Sequence, residues 1–247
     1  VTVGSAELSV GEVYRVILYE LFRWGDPEQL GSGAVHDIVW LIRLPRVVLA
    51  VLVGMGLSVV GAVMQAIVKN PLADPYVLGI SSGAKLVVAM TMIICLQRGV
   101  ALNSAGMVIA AFAGSLIAMG FVLLISFRVS KMSLLVVCGI MIGYICSAIT
   151  DFCVTFADDS NIVNLHNWSL GSFSGMTWEN VQMIVVIVAV GVVITFLLAK
   201  PIGAYQMGET YARNMGVNVK LLRIGLILLS SMLSACVTAF AGPISFV

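Results

Sequence analysis

Charged residues are scarce in this chain of 247 residues. Asp, Glu, Lys and Arg together make up 10% of it and the mean hydropathy is +1.09, whereas about a quarter of the residues in an ordinary globular domain are charged. The formal net charge is +1, so no general attraction to nucleic acid or to acidic substrates is expected. The composition therefore indicates a membrane protein, in which the meaning of each charge depends on its position.

Residues that build catalytic or metal sites are equally few. The two histidines, His36 and His166, are far apart in the sequence, and the five cysteines show no C-x-x-C spacing. The segment from Gly79 to Lys85 contains glycines and a lysine, but it breaks the G-x-x-x-x-G-K-[ST] spacing of a phosphate-binding loop. We therefore expect no enzyme activity, no metal bound by the chain, and cysteines that act as small buried hydrophobic residues.

Long stretches without any charged residue are abundant. Five of them reach about the length of the roughly 20 helical residues that cross a bilayer core. A sixth, shorter one ends at Leu96 and becomes long enough if its helix begins near Ser81 or Ser82, either of which could cap it. Backbone amides find no water within lipid, so helices are expected. The sequence thus predicts an all-α polytopic transmembrane bundle with spans at residues 47–68, 82–97, 104–127, 132–151, 180–199 and 222–242.

Lys and Arg are distributed unevenly among the predicted loops. Eight of those that follow the first span can lie on one side of the membrane, which leaves Arg98 on the other. Because cytoplasmic loops are rich in Lys and Arg, the side with eight is predicted to be cytoplasmic. Arg43 and Arg46 then lie outside, against the usual bias.

The first 40 residues do not form a signal peptide, because they lack a basic start followed by an apolar core. Ser9 and Glu12 have the spacing of a capping box, and Val13, Ile17 and Leu21 follow at helical spacing. Residues 1–40 are therefore predicted to be an outer-face amphipathic segment. It either covers the first span or serves as a binding element.

Small residues recur every four positions in two of the predicted spans. One set is Gly54, Ser58 and Ala62, and the other is Gly106, Ala110, Gly114 and Ala118. Faces of this kind let helix backbones approach closely in lipid. Both sets are therefore predicted to be helix-packing faces.

A series of motifs rich in Gly, Pro and polar residues follows in a fixed order along the chain. They are Arg43-Leu-Pro-Arg46, Gly61-Ala-Val-Met-Gln65, Asn70-Pro-Leu-Ala-Asp-Pro75, Leu78-Gly-Ile-Ser-Ser-Gly83, Trp168-Ser-Leu-Gly-Ser-Phe-Ser-Gly175, Gly208-Glu-Thr-Tyr-Ala-Arg-Asn-Met-Gly216 and Gly242-Pro-Ile-Ser-Phe-Val247. In order and spacing they closely resemble the FecCD-type permease family, the membrane subunits of ABC importers for ferric siderophores, haem and cobalamin. The resemblance implies a type II ABC importer permease fold. About six of an expected ten spans are present, so the chain is expected to be an incomplete permease.

The resemblance also implies a set of partners. A substrate-binding protein outside the membrane would deliver a metal chelate, with a ferric siderophore as the first expectation and haem or cobalamin as the others. A second permease subunit would complete a homodimer or a heterodimer. Two ATP-binding subunits would use ATP and Mg²⁺, while this chain binds no cofactor. The expected location is the bacterial cytoplasmic (inner) membrane.

Particular residues acquire roles from the same resemblance. Arg43 and Arg46 would dock the binding protein, because a guanidinium pairs bidentately with a carboxylate; the alternative is that they only anchor the span at the interface. The predicted cytoplasmic gate consists of Asn70, Leu72, Met132 and Ser133. A cytoplasmic loop at residues 203–218 would hold the helix that couples to the ATPase, with Gly208, Glu209, Tyr211, Ala212, Arg213 and Gly216 as its residues.

An ion-coupled secondary transporter is the competing function. Such transporters place Asp, Glu, His or Lys near the middle of their spans. The five longest uncharged stretches contain none of these residues, and Asp151 is at an edge. The sequence therefore favours the ATP-driven importer.

Overall fold

The computed structural model describes residues 8–24, 33–74, 76–98, 104–129, 132–157 and 159–244. Their regular structure is helical throughout, without a strand among them, which confirms the predicted all-α class. The chain divides into two compact units, one of Val1–Leu52 with Phe173–Val185 and one of Val53–Ser172 with Val186–Val247.

The helices follow one another with short connections. In chain order they are α1 (Val10–Phe22), α2 (Gly33–Asp37), α3 (Leu44–Val68), α4 (Ile80–Gln97), α5 (Ser104–Ser126), α6 (Met132–Thr155), α7 (Asp159–Ser169), α8 (Trp178–Leu197), α9 (Ala199–Met207), α10 (Glu209–Asn214) and α11 (Val219–Ala241).

The first unit begins with the capped helix that the sequence predicted. The Glu12 N–H donates to the Ser9 hydroxyl oxygen at 3.2 Å, and the Glu12 carboxylate accepts from the Ser9 N–H at 2.9 Å. Such a cap contributes about 1 kcal/mol to helix stability. Val13 and Val16 are buried against Val39. Leu21 was predicted to share the face of Val13 but is 60% exposed.

Side-chain contacts hold the first unit together around α1, α2 and the start of α8. The Trp178 Nε1–H donates to the Trp40 carbonyl oxygen at 2.8 Å, and the two indole rings lie 5.0 Å apart. His36 Nε2 lies 3.0 Å from Glu20 Oε1 and so connects α2 to α1. These contacts fix the segment that leads into α3.

A π-helical turn, Ile38–Arg43, joins α2 directly to α3. Its Leu44 N–H donates to the Val39 carbonyl oxygen, five residues back. Pro45 follows and has no N–H with which to continue the α-helical ladder. The wider turn accommodates this missing donor without breaking the helix.

The helical run therefore extends over Gly33–Val68. Residues 33–40 belong to it, so assigning all of residues 1–40 to a separate outer-face segment was wrong at its C-terminal end. The predicted spans otherwise coincide with α3, α5, α6, α8 and α11 to within a few residues. Within the described ranges, five helical runs are long and apolar enough to cross a membrane: Gly33–Val68, Ala105–Ser126, Ser133–Thr155, Trp178–Leu197 and Val219–Ala241.

The sixth predicted span, residues 82–97, corresponds to α4, which is shorter in its apolar part, Ile80–Cys95. It begins at Ile80, directly after Gly79, so neither of the two serines proposed as caps is one. In the second unit α4 packs against α5, α6, α7 and α11. A helix enclosed by other helices needs less length than one that meets lipid along its whole surface.

Glycine allows the close contact between α4 and α5. A Cβ atom on Gly83 would lie 2.6 Å from the Ala118 Cβ and 2.7 Å from the Gly114 carbonyl oxygen, so no larger residue fits. Ala110 and Ala118 are buried, which confirms this part of the predicted packing face of α5. Gly54, Ser58 and Ala62 of α3 are exposed in this chain, so their role as a packing face stays a prediction.

The loop between α6 and α8 contains a helix that the sequence did not predict, α7. After it, Gly171 (φ +73) and Gly242 (φ +76) approach each other at the end of α11, and a Cβ on Gly242 would lie 2.9 Å from the Gly171 Cα. The Ser172 N–H donates to the Ala241 carbonyl oxygen at 3.0 Å. Two motifs that are far apart in the sequence thus meet in the second unit.

Candidate functional site

The turn after α3 has a conformation fixed by its own side chains. The Asn70 Oδ1 accepts from the Leu72 N–H at 2.9 Å, and the Ala73 N–H donates to the Asn70 carbonyl oxygen at 3.1 Å. Such Asx turns hold the backbone without a regular element. The Leu72 side chain is 88% exposed, so the turn presents a bulky apolar residue away from the packed interior.

The next residues connect this turn to α4. The Asp74 Oδ1 accepts from the Tyr76 N–H at 2.6 Å, and Tyr76 is 3% exposed. Gly79 has a φ of +74, and a Cβ there would lie 2.7 Å from the Gly139 carbonyl oxygen of α6. The turn is therefore anchored against α6 on its C-terminal side.

The second half of the predicted gate is at the start of α6. Met132 and Ser133 are its first two residues, and Ser133 is exposed. Among the described residues Ser133 forms no hydrogen bond with Asn70 or Leu72. The assignment of all four residues to a gate stays a prediction.

The predicted coupling segment folds into α9 and α10. Gly208 (φ +142) forms the corner between them, and Gly216 (φ +82) follows the end of α10. Tyr211 is 46% exposed, whereas Ala212 is fully buried. Ala212 therefore contributes to packing, and of these two residues Tyr211 is the one that can contact another subunit.

Glu209 is the centre of a charged cluster. An Arg223 Nη donates to its Oε1 at 2.7 Å, and the Arg223 side chain is 12% exposed. The Tyr205 hydroxyl donates to the same oxygen at 3.4 Å. Arg213 lies at 3.9 Å from the other carboxylate oxygen and is 70% exposed, so this second pair contributes little. The Glu209 carboxylate is thus attached to α11 by Arg223 while its side chain remains 41% exposed.

Tyr205 connects this cluster to the end of α3. Its ring is 3% exposed, and the Lys69 Nζ lies 4.7 Å from the ring centroid, within the range of a cation–π contact. Burial raises the pKa of the Tyr205 phenol, and the nearby Arg223 opposes this rise in part. The phenol therefore stays protonated at neutral pH and can donate its hydrogen bond to Glu209.

Sequence reasoning missed Lys69, Tyr205 and Arg223. Arg223 is 14 residues from Glu209, on another helix, so no helical spacing links them.

A cavity of about 330 Å³ lies between the turn and α6, with a mostly apolar lining that includes a few polar groups. Its lining includes Asp74, Ser81, Ser82, Tyr144 and Ser147. The sequence analysis did not single out Tyr144 and Ser147, although their spacing of three places both on one face of α6. The cavity offers hydroxyl and carboxylate groups to a ligand.

The two arginines predicted to dock a binding protein lie in the first unit. Arg43 ends the π-helical turn, Arg46 lies in the first turn of α3, and both are partly buried. Arg46 forms no ion pair with any residue that the structure describes, and its buried Nε has no hydrogen-bond partner among them. Its charge is thus available to a carboxylate of a binding protein or to a lipid phosphate, and the docking role stays a prediction.

Metal-binding geometry is missing from the described ranges, where no three His, Cys, Asp or Glu side chains are grouped to hold an ion. The five cysteines are all free. Cys236 is buried and the other four are partly buried.

Comparisons with known proteins agree with these observations. The sequence matches the FecCD transport family along residues 1–247. It is 34% identical over 244 residues to the vitamin B12 import system permease protein BtuC of Serratia proteamaculans (strain 568), covering 97% of this chain and 70% of that protein. It is 34% identical over 223 residues to the hemin transport system permease protein HmuU of Yersinia pestis, covering 88% of this chain and 67% of that protein.

The fold is also similar to a solved structure. That structure is described as an inward-facing conformation of an ABC transporter of the metal-chelate type. The TM-score is 0.78 with 24% sequence identity, over 94% of this chain and 73% of the other. This likeness concerns the arrangement of helices.

Proposed function

Because this chain belongs to the FecCD transport family, we propose that it imports a large metal chelate by alternating access, driven by ATP hydrolysis in partner subunits. It is a permease of the ABC importer class and lies in the bacterial inner membrane. The proposed assembly contains a second permease subunit, two ATP-binding subunits and an extracytoplasmic binding protein. The chain itself makes and breaks no covalent bonds.

One observation of the second unit supports this proposal. Ala73 of the turn after α3 and Ala212 of α10 pack against the same apolar cluster, which also contains Tyr205 and Leu222. A displacement of α10 by an ATPase subunit would therefore be passed through this cluster to the turn that presents Leu72. We infer that α10 is the coupling helix and that this turn is part of the cytoplasmic gate.

The cavity between the turn and α6 has a place in this mechanism. Asp74, Tyr144 and Ser147 line it with groups that can bond the carboxylates, amides or hydroxyls of a chelate. Large chelates are otherwise bound by broad apolar walls with few polar contacts. We propose that the cavity lines the last part of the pathway, where the substrate leaves for the cytoplasm.

The chemical identity of the chelate is proposed only as a class. The two relatives described above are named for vitamin B12 and for hemin, which are large metal chelates, as ferric siderophores are. Ferric siderophores, haem and cobalamin are therefore the substrates to compare. Binding of each labelled chelate to the partner binding protein, followed by uptake through the transporter, decides among them.

Transport by the complete assembly tests the function. The permease, its ATPase subunits and its binding protein are reconstituted in proteoliposomes with labelled chelate. We expect uptake that requires ATP and stops with vanadate. Uptake that continues without nucleotide and stops only with an ionophore would instead identify the ion-coupled secondary transporter.

Cross-linking tests the role of α10. A cysteine introduced as Tyr211→Cys is expected to cross-link to the ATPase subunit, because this side chain is 46% exposed on α10. Ala199→Cys, at the exposed start of α9, is the matched control and should not react. Equal cross-linking at both positions would remove α10 from the interface.

Charge reversal tests the docking arginines. The variant Arg43→Glu with Arg46→Glu should weaken the complex with the binding protein, since it replaces attraction to carboxylates by repulsion. Arg15→Glu, an exposed position on α1, is the control in the same unit. Unchanged affinity in the double variant would assign both arginines to membrane anchoring instead.

A further inference from the structure

We propose that Lys69, Tyr205, Glu209 and Arg223 form a positioning network that transmits the movement of α10 to the turn after α3. This inference rests on the proposed function, in which α10 receives the ATPase and the turn is a gate. The four side chains come from the end of α3, from α9, from α10 and from α11. They connect these elements by directional contacts, in addition to the apolar cluster beneath them.

The strongest contact of the network attaches α10 to α11. The hydrogen bond from Arg223 to Glu209 is 2.7 Å long and joins two opposite charges, of which Arg223 is largely shielded from solvent. Charge-assisted bonds of this kind are stronger and more directional than contacts between neutral groups. Glu209 is the first residue of α10, so the bond fixes the beginning of the helix next to its Gly208 corner.

Tyr205 extends the network in two directions with one side chain. Its hydroxyl bonds to Glu209 at 3.4 Å, and its ring face receives the Lys69 ammonium at 4.7 Å. Since the ring is almost fully buried, it cannot move without displacing its neighbours. A shift of Glu209 is thereby passed to Lys69.

The backbone at Lys69 points to a role for this side chain. Its φ is +55, a left-handed conformation that Gly or Asn usually adopts after a helix. A lysine there is disfavoured by the local geometry, and its contact with Tyr205 supplies a reason for its presence. Asn70, the next residue, makes the hydrogen bond that shapes the gate turn.

The apolar cluster alone could also hold α10 and the turn together. In that case the four polar side chains would add only stability. The two possibilities differ in one measurable quantity, the amount of substrate moved for each ATP hydrolysed. A packing role changes stability, whereas a transmitting role changes this coupling ratio at constant stability.

Lys69→Gly separates the two roles. Glycine favours the left-handed conformation, so the thermal stability of the permease should not fall, while the contact with Tyr205 is lost. We expect the coupling ratio of the reconstituted transporter to fall roughly two- to fivefold, the effect of losing a cation–π contact near the surface. Lys69→Arg keeps a cation over the ring and should retain the wild-type ratio.

Lys69→Gln and Lys220→Gln provide a matched pair. Both remove one lysine charge, and Lys220 is exposed on α11. The network predicts a lowered ratio for the first variant and a wild-type ratio for the second. A wild-type ratio in both Lys69→Gly and Lys69→Gln would overturn the proposal.

Exchange of the central charges gives a second test. Glu209→Arg and Arg223→Glu are each expected to lower the coupling ratio, and the double variant should recover part of it because the pair is restored in reverse. No recovery in a stable, assembled double variant would count against the network. Failure of the proposed function is recognised separately, by the lack of ATP-dependent uptake in the wild-type transporter or of the Tyr211→Cys cross-link.

Discussion

Helices α6 and α11 are equally apolar and yet differ in their surroundings. Their most apolar 18-residue stretches have the same mean hydropathy, 2.1, but 22% of the residues are buried in α6 and 72% in α11. Hydropathy therefore identifies both as candidate spans. It contains no information on which of them lies inside the second unit.

Several small and hydroxyl side chains of α11 are buried. Ser230, Ser231, Ser234, Ala235 and Thr238 are all fully or almost fully buried. In lipid, apolar side chains gain nothing by leaving one apolar environment for another, so helices associate through close packing of small residues. These residues allow α11 to pack against α4 and α5.

Large side chains cover the corresponding surface of α6. Met141, Tyr144, Ile145 and Phe152 are between 51% and 67% exposed. Such a surface suits acyl chains, or the second permease subunit that we propose. Equal hydropathy thus accompanies very different burial in the two spans.

Replacing one alanine by phenylalanine in each helix gives the largest expected difference in the free energy of unfolding. Ala235 in α11 is fully buried, whereas Ala148 in α6 is exposed. We expect Ala235→Phe to lower the free energy of unfolding by about 3 kcal/mol, because no space exists for the ring. Ala148→Phe should change it by less than about 0.5 kcal/mol. Unfolding in mixed micelles measures both values, and similar losses would refute the comparison.

Replacing one leucine by alanine in each helix gives the next largest expected difference in the free energy of unfolding. Leu233 is 2% exposed and lies against Gly191, whereas Leu134 in α6 is 50% exposed. Leu233→Ala should cost about 2 to 3 kcal/mol through the cavity that it leaves. Leu134→Ala leaves a space that solvent or lipid fills, so we expect less than about 1 kcal/mol. The same unfolding experiment checks both, and a larger loss for Leu134→Ala would show that this part of α6 is enclosed.

The spans and turns were largely predictable from the sequence. The uncharged stretch at residues 104–127 corresponds to α5, Ser104–Ser126, because lipid excludes charge along the whole length of a crossing helix. The capping box of α1 was also predictable, because its two partners are three residues apart in the sequence. Interactions that depend on short sequence separations can be found without a structure.

Helix partners and the charged cluster were not predictable. Small residues at spacings of four occur in α3 and in α5, but only the α5 set is packed within this chain. Small residues at this spacing show that another helix can approach closely, but they do not identify which helix does so. Lys69 and Tyr205 are likewise brought together by the fold, at a sequence separation for which no periodic pattern exists.

Two neighbouring serines of α11 test how much their hydroxyl groups contribute to the stability of the protein. The Ser230 hydroxyl donates to the Leu226 carbonyl oxygen at 2.8 Å, whereas the Ser231 hydroxyl has no hydrogen-bond partner among the described residues. Ser230→Ala should cost about 0.5 to 1 kcal/mol, the net value of one hydrogen bond. Ser231→Ala should be neutral or slightly stabilising, because an unpaired buried hydroxyl is removed. If Ser231→Ala is the more harmful of the two, size alone does not explain the packing of α11.

The polar residues on α6 give the smallest expected effect, and it concerns transport alone. Tyr144 is 67% exposed and lines the cavity between the turn and α6, so Tyr144→Phe should leave the free energy of unfolding unchanged. If the cavity is the exit of the pathway, the loss of one hydroxyl contact should change the uptake rate by roughly two- to threefold. Tyr14→Phe on α1, at 59% exposure, is the matched control and should show wild-type uptake. Equal uptake by both variants would assign the exposed face of α6 to lipid or to a partner subunit, because a surface outside the pathway has no contact with the substrate to lose.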